Sequence, residues 1–318
     1  MTGLLFILSI GFIQILVELR KLRLEKHHEL SRKCPPPSVQ EHEVVFYGHS
    51  LELSDLEMNR ILLLRNHYYR DLIPDLQLRF LERVKHFISK KVFIIKDDEG
   101  FREMPVLVSA AAIQLTFGLK EYLLPFYRYI RIYPTAYFGD HSFRVLAGNV
   151  QGNIITVAWN HFLDGFEHRT DGSNVGLHEM SHALYFQKMV VDTGYAKKFE
   201  KQFNTLMKEC HEAHEKEKLG VKDLYSDYAT TEIQEFWAES VELFFERAED
   251  LYHVYPSVYG EMTLLLHQDP MNKPNPVIEG RQGAVQQAIA KVLPGAGKGG
   301  SGVSPGMGNE KMLFFRRF

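Results

Sequence analysis

Cysteine is nearly missing: the 318 residues hold two, Cys34 and Cys210, far apart and at no ligand-like spacing. A disulfide framework is therefore not indicated, which suits a reducing compartment. Positive charge is also short. The net charge is −3, the pI lies near 6.6 and no basic-aromatic stripe appears, which excludes nucleic acid as a partner. The start of the chain lacks both marks of a cleaved signal peptide, since no basic residue precedes its apolar run and no small-x-small site follows it.

What is there begins with that run. Leu4 to Val17 is uncharged and with its flanks reaches about 18 to 19 positions, enough for one transmembrane helix over residues 1–19. An amphipathic or buried N-terminal helix is the alternative. Arg20, Lys21, Arg23 and Lys26 follow at once, so the positive-inside rule places everything downstream in the cytoplasm. Pro35, Pro36 and Pro37 mark residues 20–41 as a linker. A folded domain is expected over 42–275, ample for a sizeable core at 45% apolar content. The closing 276–318 is Gly-rich from Pro294 onward and has the composition of a disordered tail.

Within the domain, Ser54-Asp-Leu-Glu57 reads as a capping box opening a helix with Leu56, Ile61, Leu63 and Leu64 apolar. A second helix is expected from Pro74 to about Lys90, a short buried strand over Lys91–Ile95, and a small-residue helix from Val106 to Leu119 that can pack closely on a neighbour. Residues 129–133 and 153–159 read as strands separated by turns at Gly139, Gly148 and Gly152. The second strand is either a sheet edge able to pair with an extended peptide or a central strand, and sequence leaves both open. A charged helix runs from Lys197 to Lys218; its His211 and His214 have metal-pair spacing, yet Lys and Glu surround them and a solvated face is the expectation.

The chemistry lies in Asn174-Val-Gly-Leu-His178-Glu179-Met-Ser-His182, a proline-free segment with helical periodicity. The H-E-x-x-H pattern arises by chance in about one chain in twenty of this composition, so context has to carry it. Asp171-Gly-Ser-Asn174 supplies a turn and an N-cap, and Gly194 a stop. Four apart on a helix, the imidazoles of His178 and His182 can converge on one tetrahedral ion. Glu179 then flanks that ion as a carboxylate able to take a proton from the attacking water. The bland reading is two ordinary histidines bonded to backbone carbonyls.

A catalytic zinc needs a third protein ligand, and no His follows at short spacing. The candidate element is Thr231 to Glu246, whose carboxylates at 232, 235, 239, 242 and 246 form a stripe opposite Ile233, Trp237, Ser240, Val241 and Phe244. Such a stripe is either a solvated acidic face or a row whose N-terminal Glu faces a cation, and periodicity cannot choose.

Several separate motifs in order carry a resemblance. They are Phe46-Tyr-Gly-His49, Ile132-Tyr-Pro134, Asp171-Gly-x-Asn174 ahead of the histidines, Asp227-Tyr-Ala229, Glu235-Phe-Trp-Ala238, Glu242-x-Phe-Phe-Glu-Arg247 and His267-Gln-Asp-Pro270. Over roughly residues 44–270 the chain resembles the Mlc titration factor A family of zinc-dependent peptidases. The resemblance implies an α+β, mostly helical zincin-like domain of gluzincin type with a small mixed sheet. It implies one Zn2+ on His178, His182 and Glu235, with Tyr228 as the site tyrosine. It further implies aminopeptidase action on a peptide or protein, and the family name points to a transcription regulator as partner. An endopeptidase of the same mechanism is the nearer alternative, and a zinc-stabilised protein that binds a regulator without cleaving it the more distant one. Glu179 would serve as general base and then acid, and Tyr228 as donor to the oxyanion. One departure is Tyr185, where the family has Asp; this puts in question a contact that orients a metal ligand.

Overall fold

The computed structural model describes residues 43–96, 102–139, 144–168, 172–220 and 223–278, with Pro37 and Thr170 besides. The expected membrane segment, the rest of the linker, Asp97 to Gly100, Asp171 and most of the Gly-rich tail lie outside these residues. Among the described residues no helix is long and apolar enough to cross a membrane.

Strand β1 (Val44–Tyr47) is followed by helices α1 (Asp55–Arg65), α2 (His67–Arg70) and α3 (Pro74–Ser89), then strand β2 (Val92–Ile95) and helix α4 (Glu103–Thr116). Strands β3 (Tyr129–Tyr133), β4 (Tyr137–Phe138), β5 (Val145–Leu146), β6 (Gly148–Gln151) and β7 (Ile154–Ala158) come next. Helices α5 (Trp159–Glu167), α6 (Val175–Phe186), α7 (Lys197–Lys218), α8 (Ile233–Glu246), α9 (Ala248–Val254) and α10 (Pro256–Leu266) complete the chain. The result is the expected α+β fold: helices predominate, and five strands form one mixed sheet in the order β1-β2-β3-β7-β6. The β2-β3 and β3-β7 pairs are parallel, whereas β1-β2 and β7-β6 are antiparallel. Strand β2 is buried along its whole length, as its Val-Phe-Ile-Ile run requires.

Local signals explain the helix starts. Ser54 Oγ accepts from Glu57 N at 3.2 Å while Glu57 Oε2 accepts from Ser54 N at 2.9 Å, so the capping box is formed in both directions. Helix α4 is sealed in the core, with Ser109, Ala110, Ala111 and Ala112 fully buried. Its small side chains let α6 approach: a Cβ on Gly176 would come within 3.2 Å of Ala111 Cβ and 2.5 Å of the Phe162 ring.

Several expectations need correction. Helix α1 buries Met58 and Leu62, one turn apart, and leaves Leu56 and Leu64 in solvent. Strand β7 is paired on both sides, so β6 is the sheet edge on that side, and it arises from a stretch whose glycines read as turns. The tryptophan-containing run ends as a strand at Ala158; Trp159, Phe162 and Phe166 then stack along α5 and bury its inner face. On α7, His211 is exposed, but His214 is buried, with its Nε2 3.0 Å from the Thr230 carbonyl oxygen. The pair neither converges nor lies on a solvated face, because the His214 side of α7 packs against the chain entering α8.

Candidate metal centre

Helix α6 begins at Asn174, whose Oδ1 accepts from Leu177 N at 3.0 Å. One turn in, His178 and His182 project from the same face with their Nε2 atoms 3.2 Å apart. Helix α8 packs on α6, and the buried Trp237 fixes their register by donating its Nε1–H to the Ser181 carbonyl at 3.2 Å. Two residues before Trp237, Glu235 Oε2 lies 3.1 Å from His178 Nε2 and 3.5 Å from His182 Nε2.

These three residues form the one group among the described residues that could hold a metal ion. The donor set fits one. With Zn–N and Zn–O bonds of about 2.0–2.1 Å, the edge of a tetrahedron is about 3.3 Å, close to the three separations seen. A soft-to-borderline ion such as zinc suits imidazole nitrogen with one carboxylate. The tautomer is consistent too: His178 Nδ1 lies 2.7 Å from Glu242 Oε1, so that nitrogen donates and Nε2 keeps its lone pair toward the cluster. Burial disfavours charge on the His178 imidazole, yet hydrogen bonding to Glu235 and Glu242 holds its pKa well above the usual value. Glu235, though burial opposes it, is held far below the carboxylate range by both imidazoles.

Glu179 points away from the ligand face but remains close to it. Burial raises its pKa to about 7, while the neighbouring imidazoles pull the other way. The edge strand runs directly over it: a Cβ at Gly148 would stand 2.6 Å from both Glu179 Cγ and Oε1. Only glycine permits that approach. Tyr228 stands on the loop before α8, 57% exposed. Partial burial and then the negative charges of Glu235 and Glu179 raise its pKa, so its phenol stays protonated beside the cluster. The loop is held by Ser226, which donates to Glu239 through both N and Oγ, and by Thr230 Oγ1 and Thr231 Oγ1, which donate to the carbonyls of Asp227 and Tyr228.

Sequence reasoning missed three contributors. Glu242, in sequence one of a row, accepts from His178 and from the Asn174 backbone N–H. Glu246 accepts from Asn174 Nδ2 at 2.9 Å. Tyr137 stacks on Tyr133 at 4.2 Å and donates to Asn149 on β6 at 2.6 Å; burial and the charge of Glu179 raise its pKa. The i, i+3 and i+4 spacing of the stripe was the available signal, but it does not say what faces each carboxylate. Tyr185, standing where the resembling family has Asp, packs its ring on Phe203 at 5.4 Å, and the contact orienting His178 comes from Glu242 instead.

Two helices presenting a His-His-Glu cluster beside a mixed sheet, with a buried glutamate between ligands and sheet edge, define the class of metallopeptidases. The chain belongs to the glucose-regulated metallo-peptidase M90 family, whose model matches residues 51–267, more than half of the sequence. This agrees with the resemblance read from the motifs. No curated protein matches the chain.

Proposed function

We propose that this metallopeptidase uses zinc on His178, His182 and Glu235 and acts as an aminopeptidase on a peptide or protein substrate. The observation that carries the reading is the triangle of donor atoms, 3.1, 3.2 and 3.5 Å on its edges, next to a buried glutamate that is not part of it. A zinc ion there would polarise the scissile carbonyl and acidify the attacking water.

The chain's own residues supply the rest. Glu179, with its pKa raised to about 7 by burial, accepts the proton of the attacking water and returns it to the leaving amine. Tyr228 keeps its proton and donates a hydrogen bond to the oxyanion that forms as water attacks. The terminal strand β6 offers backbone groups to an extended substrate, and Gly148 puts that strand against Glu179. Glu242 fixes the His178 ring, and Trp237 fixes the helix that brings Glu235. The N-terminal apolar segment anchors the domain at the cytoplasmic face of a membrane, supported by its basic flank.

The test is zinc content and peptide hydrolysis measured together for wild type and Glu179→Gln. One zinc per chain in both, with hydrolysis in wild type alone, is expected. Zinc in both with no hydrolysis of amino-terminal or internal peptides by either would sink the peptidase assignment and favour a zinc-stabilised binder of a regulator protein.

A further inference from the structure

The carboxylate stripe of α8 continues past the metal ligands to a second concavity. A cavity of about 210 Å³ opens where α2, the end of α5, the start of α6 and the end of α8 meet the 270–276 segment. Its lining includes Asn66, Asp71, Phe166, Phe245, Glu246 and Lys273. That volume is below the roughly 300–1,000 Å³ of sites for drug-sized ligands, so the occupant is small.

Two observations mark a place built for a polar ligand. Asn66 is 2% exposed; its Oδ1 caps α2 by accepting from Tyr69 N at 2.7 Å, but its Nδ2 has no partner among the described residues. A buried amide donor without an acceptor carries a desolvation penalty that a ligand oxygen would remove. Charge of both signs also lines the cavity: the Asp71 and Glu246 carboxylates and the Lys273 ammonium, whose Nζ is 3.5 Å from Asp71.

We propose that this cavity binds a free α-amino acid with an aromatic or large apolar side chain. The ammonium is met by the carboxylates, the carboxylate by Asn66 Nδ2 and Lys273, and the side chain by the rings of Phe166 and Phe245. A simple amine would leave Asn66 unanswered, and a simple acid would meet carboxylates without a counter-charge.

The same wall leads to the metal cluster. Glu246 Oε1 accepts from Asn174 Nδ2 at 2.9 Å, the Asn174 backbone N–H donates to Glu242, and Glu242 accepts from His178 Nδ1 at 2.7 Å. A ligand on Glu246 therefore biases the side chain that orients a metal ligand. This coupling rests on the zinc reading above; the binding itself does not.

Calorimetry on the full chain tests the binding with L-phenylalanine, phenethylamine and 3-phenylpropionate as probes. L-Phenylalanine should bind at least about ten times more tightly than either half-molecule. Asn66→Asp keeps the capping oxygen and removes the donor, and should weaken L-phenylalanine about tenfold. Lys273→Ala, at an exposed position that folding tolerates, should weaken it as well. No heat with L-phenylalanine, equal affinity for the amine alone, or full affinity in both variants would overturn the proposal. Zinc affinity measured with and without L-phenylalanine should change by the same factor as L-phenylalanine affinity with and without zinc. A factor of one in both would overturn the coupling, whereas a chain that binds L-phenylalanine but no zinc would count against the metal reading alone.

Discussion

Glu242→Gln probes the metal centre most directly, because it keeps the shape of a side chain whose two oxygens serve different donors. Oε1 accepts from His178 Nδ1 at 2.7 Å, and Oε2 accepts from the Asn174 backbone N–H at the start of the same helix. Glutamine offers one acceptor and one donor, so one of the two N–H groups loses its partner whichever way the amide is turned. An unpaired buried donor costs about 1–3 kcal/mol, and in a domain of this size about 2–4 °C of melting temperature goes with each kcal/mol. The metal-free variant should therefore melt roughly 3–10 °C below wild type. Loss of the partner that orients an imidazole ligand lowers metal affinity about 10- to 100-fold, or about 1.4–2.7 kcal/mol. Competition against a chromophoric zinc chelator would read this, and melting with and without zinc would separate the two parts. Wild-type zinc affinity together with an unchanged metal-free melting temperature would refute both roles of Glu242, as orienter of His178 and as acceptor at the helix start.

Other perturbations reach different parts of the structure. Gly148→Ala would put a methyl group where Glu179 Cγ and Oε1 lie 2.6 Å away; hydrolysis should fall by about tenfold to a hundredfold with zinc content unchanged, and full activity would mean that β6 can move aside. In the metal-free protein, burial raises the Glu179 pKa from 4.5 to about 7, so the folded state binds more protons than the unfolded one between those values and stability falls as pH rises through them. Glu179→Gln should then be more stable than wild type at pH 8 by about 3 kcal/mol, with the advantage gone below about pH 4.5; a constant difference in denaturant titrations across that range would contradict it. Lys91 donates to the carbonyls of Leu123, Leu124 and Tyr127 at 2.7, 2.8 and 2.5 Å, so Lys91→Met should cost about 3 kcal/mol. An unchanged melting temperature would show that those carbonyls are satisfied without it.

What was legible in the sequence is what a single helix or a short run determines by itself. The His178–His182 spacing guarantees a shared face, the Ser54–Glu57 box announces α1, and α7 ends where its charged periodicity does, at Lys197 and Lys218. What depends on a neighbour was not legible. Strand β6 exists because Gly148 to Gln151 find partners on β7, and no four-residue window with a glycine at its head declares that. His214 looked solvated among lysines and glutamates because its one-dimensional neighbours occupy other faces of the helix, while its own faces Phe236 at 5.4 Å. The assignment of Glu235 came from resemblance rather than from periodicity, and the geometry then sets that carboxylate, not Glu232 or Glu239, between the imidazoles.

The stripe on α8 shows why periodicity stopped short and what the packing adds. Like charges one turn apart on an isolated helix repel by about 0.2–0.5 kcal/mol per pair, so a row such as Glu235, Glu239, Glu242 and Glu246 ordinarily seeks water. In this fold each carboxylate has its own donor: the imidazoles for Glu235, Ser226 of the Tyr228 loop for Glu239, His178 and the helix start for Glu242, and the Asn174 side chain for Glu246. Those donors belong to α6, to the segment before it and to the loop before α8, so any slide or rotation of α8 disturbs all four contacts together. A helix held at four points cannot relax one of them singly. The separations among His178, His182 and Glu235 are therefore a property of the whole interface, which is the rigidity that a preorganised metal site needs.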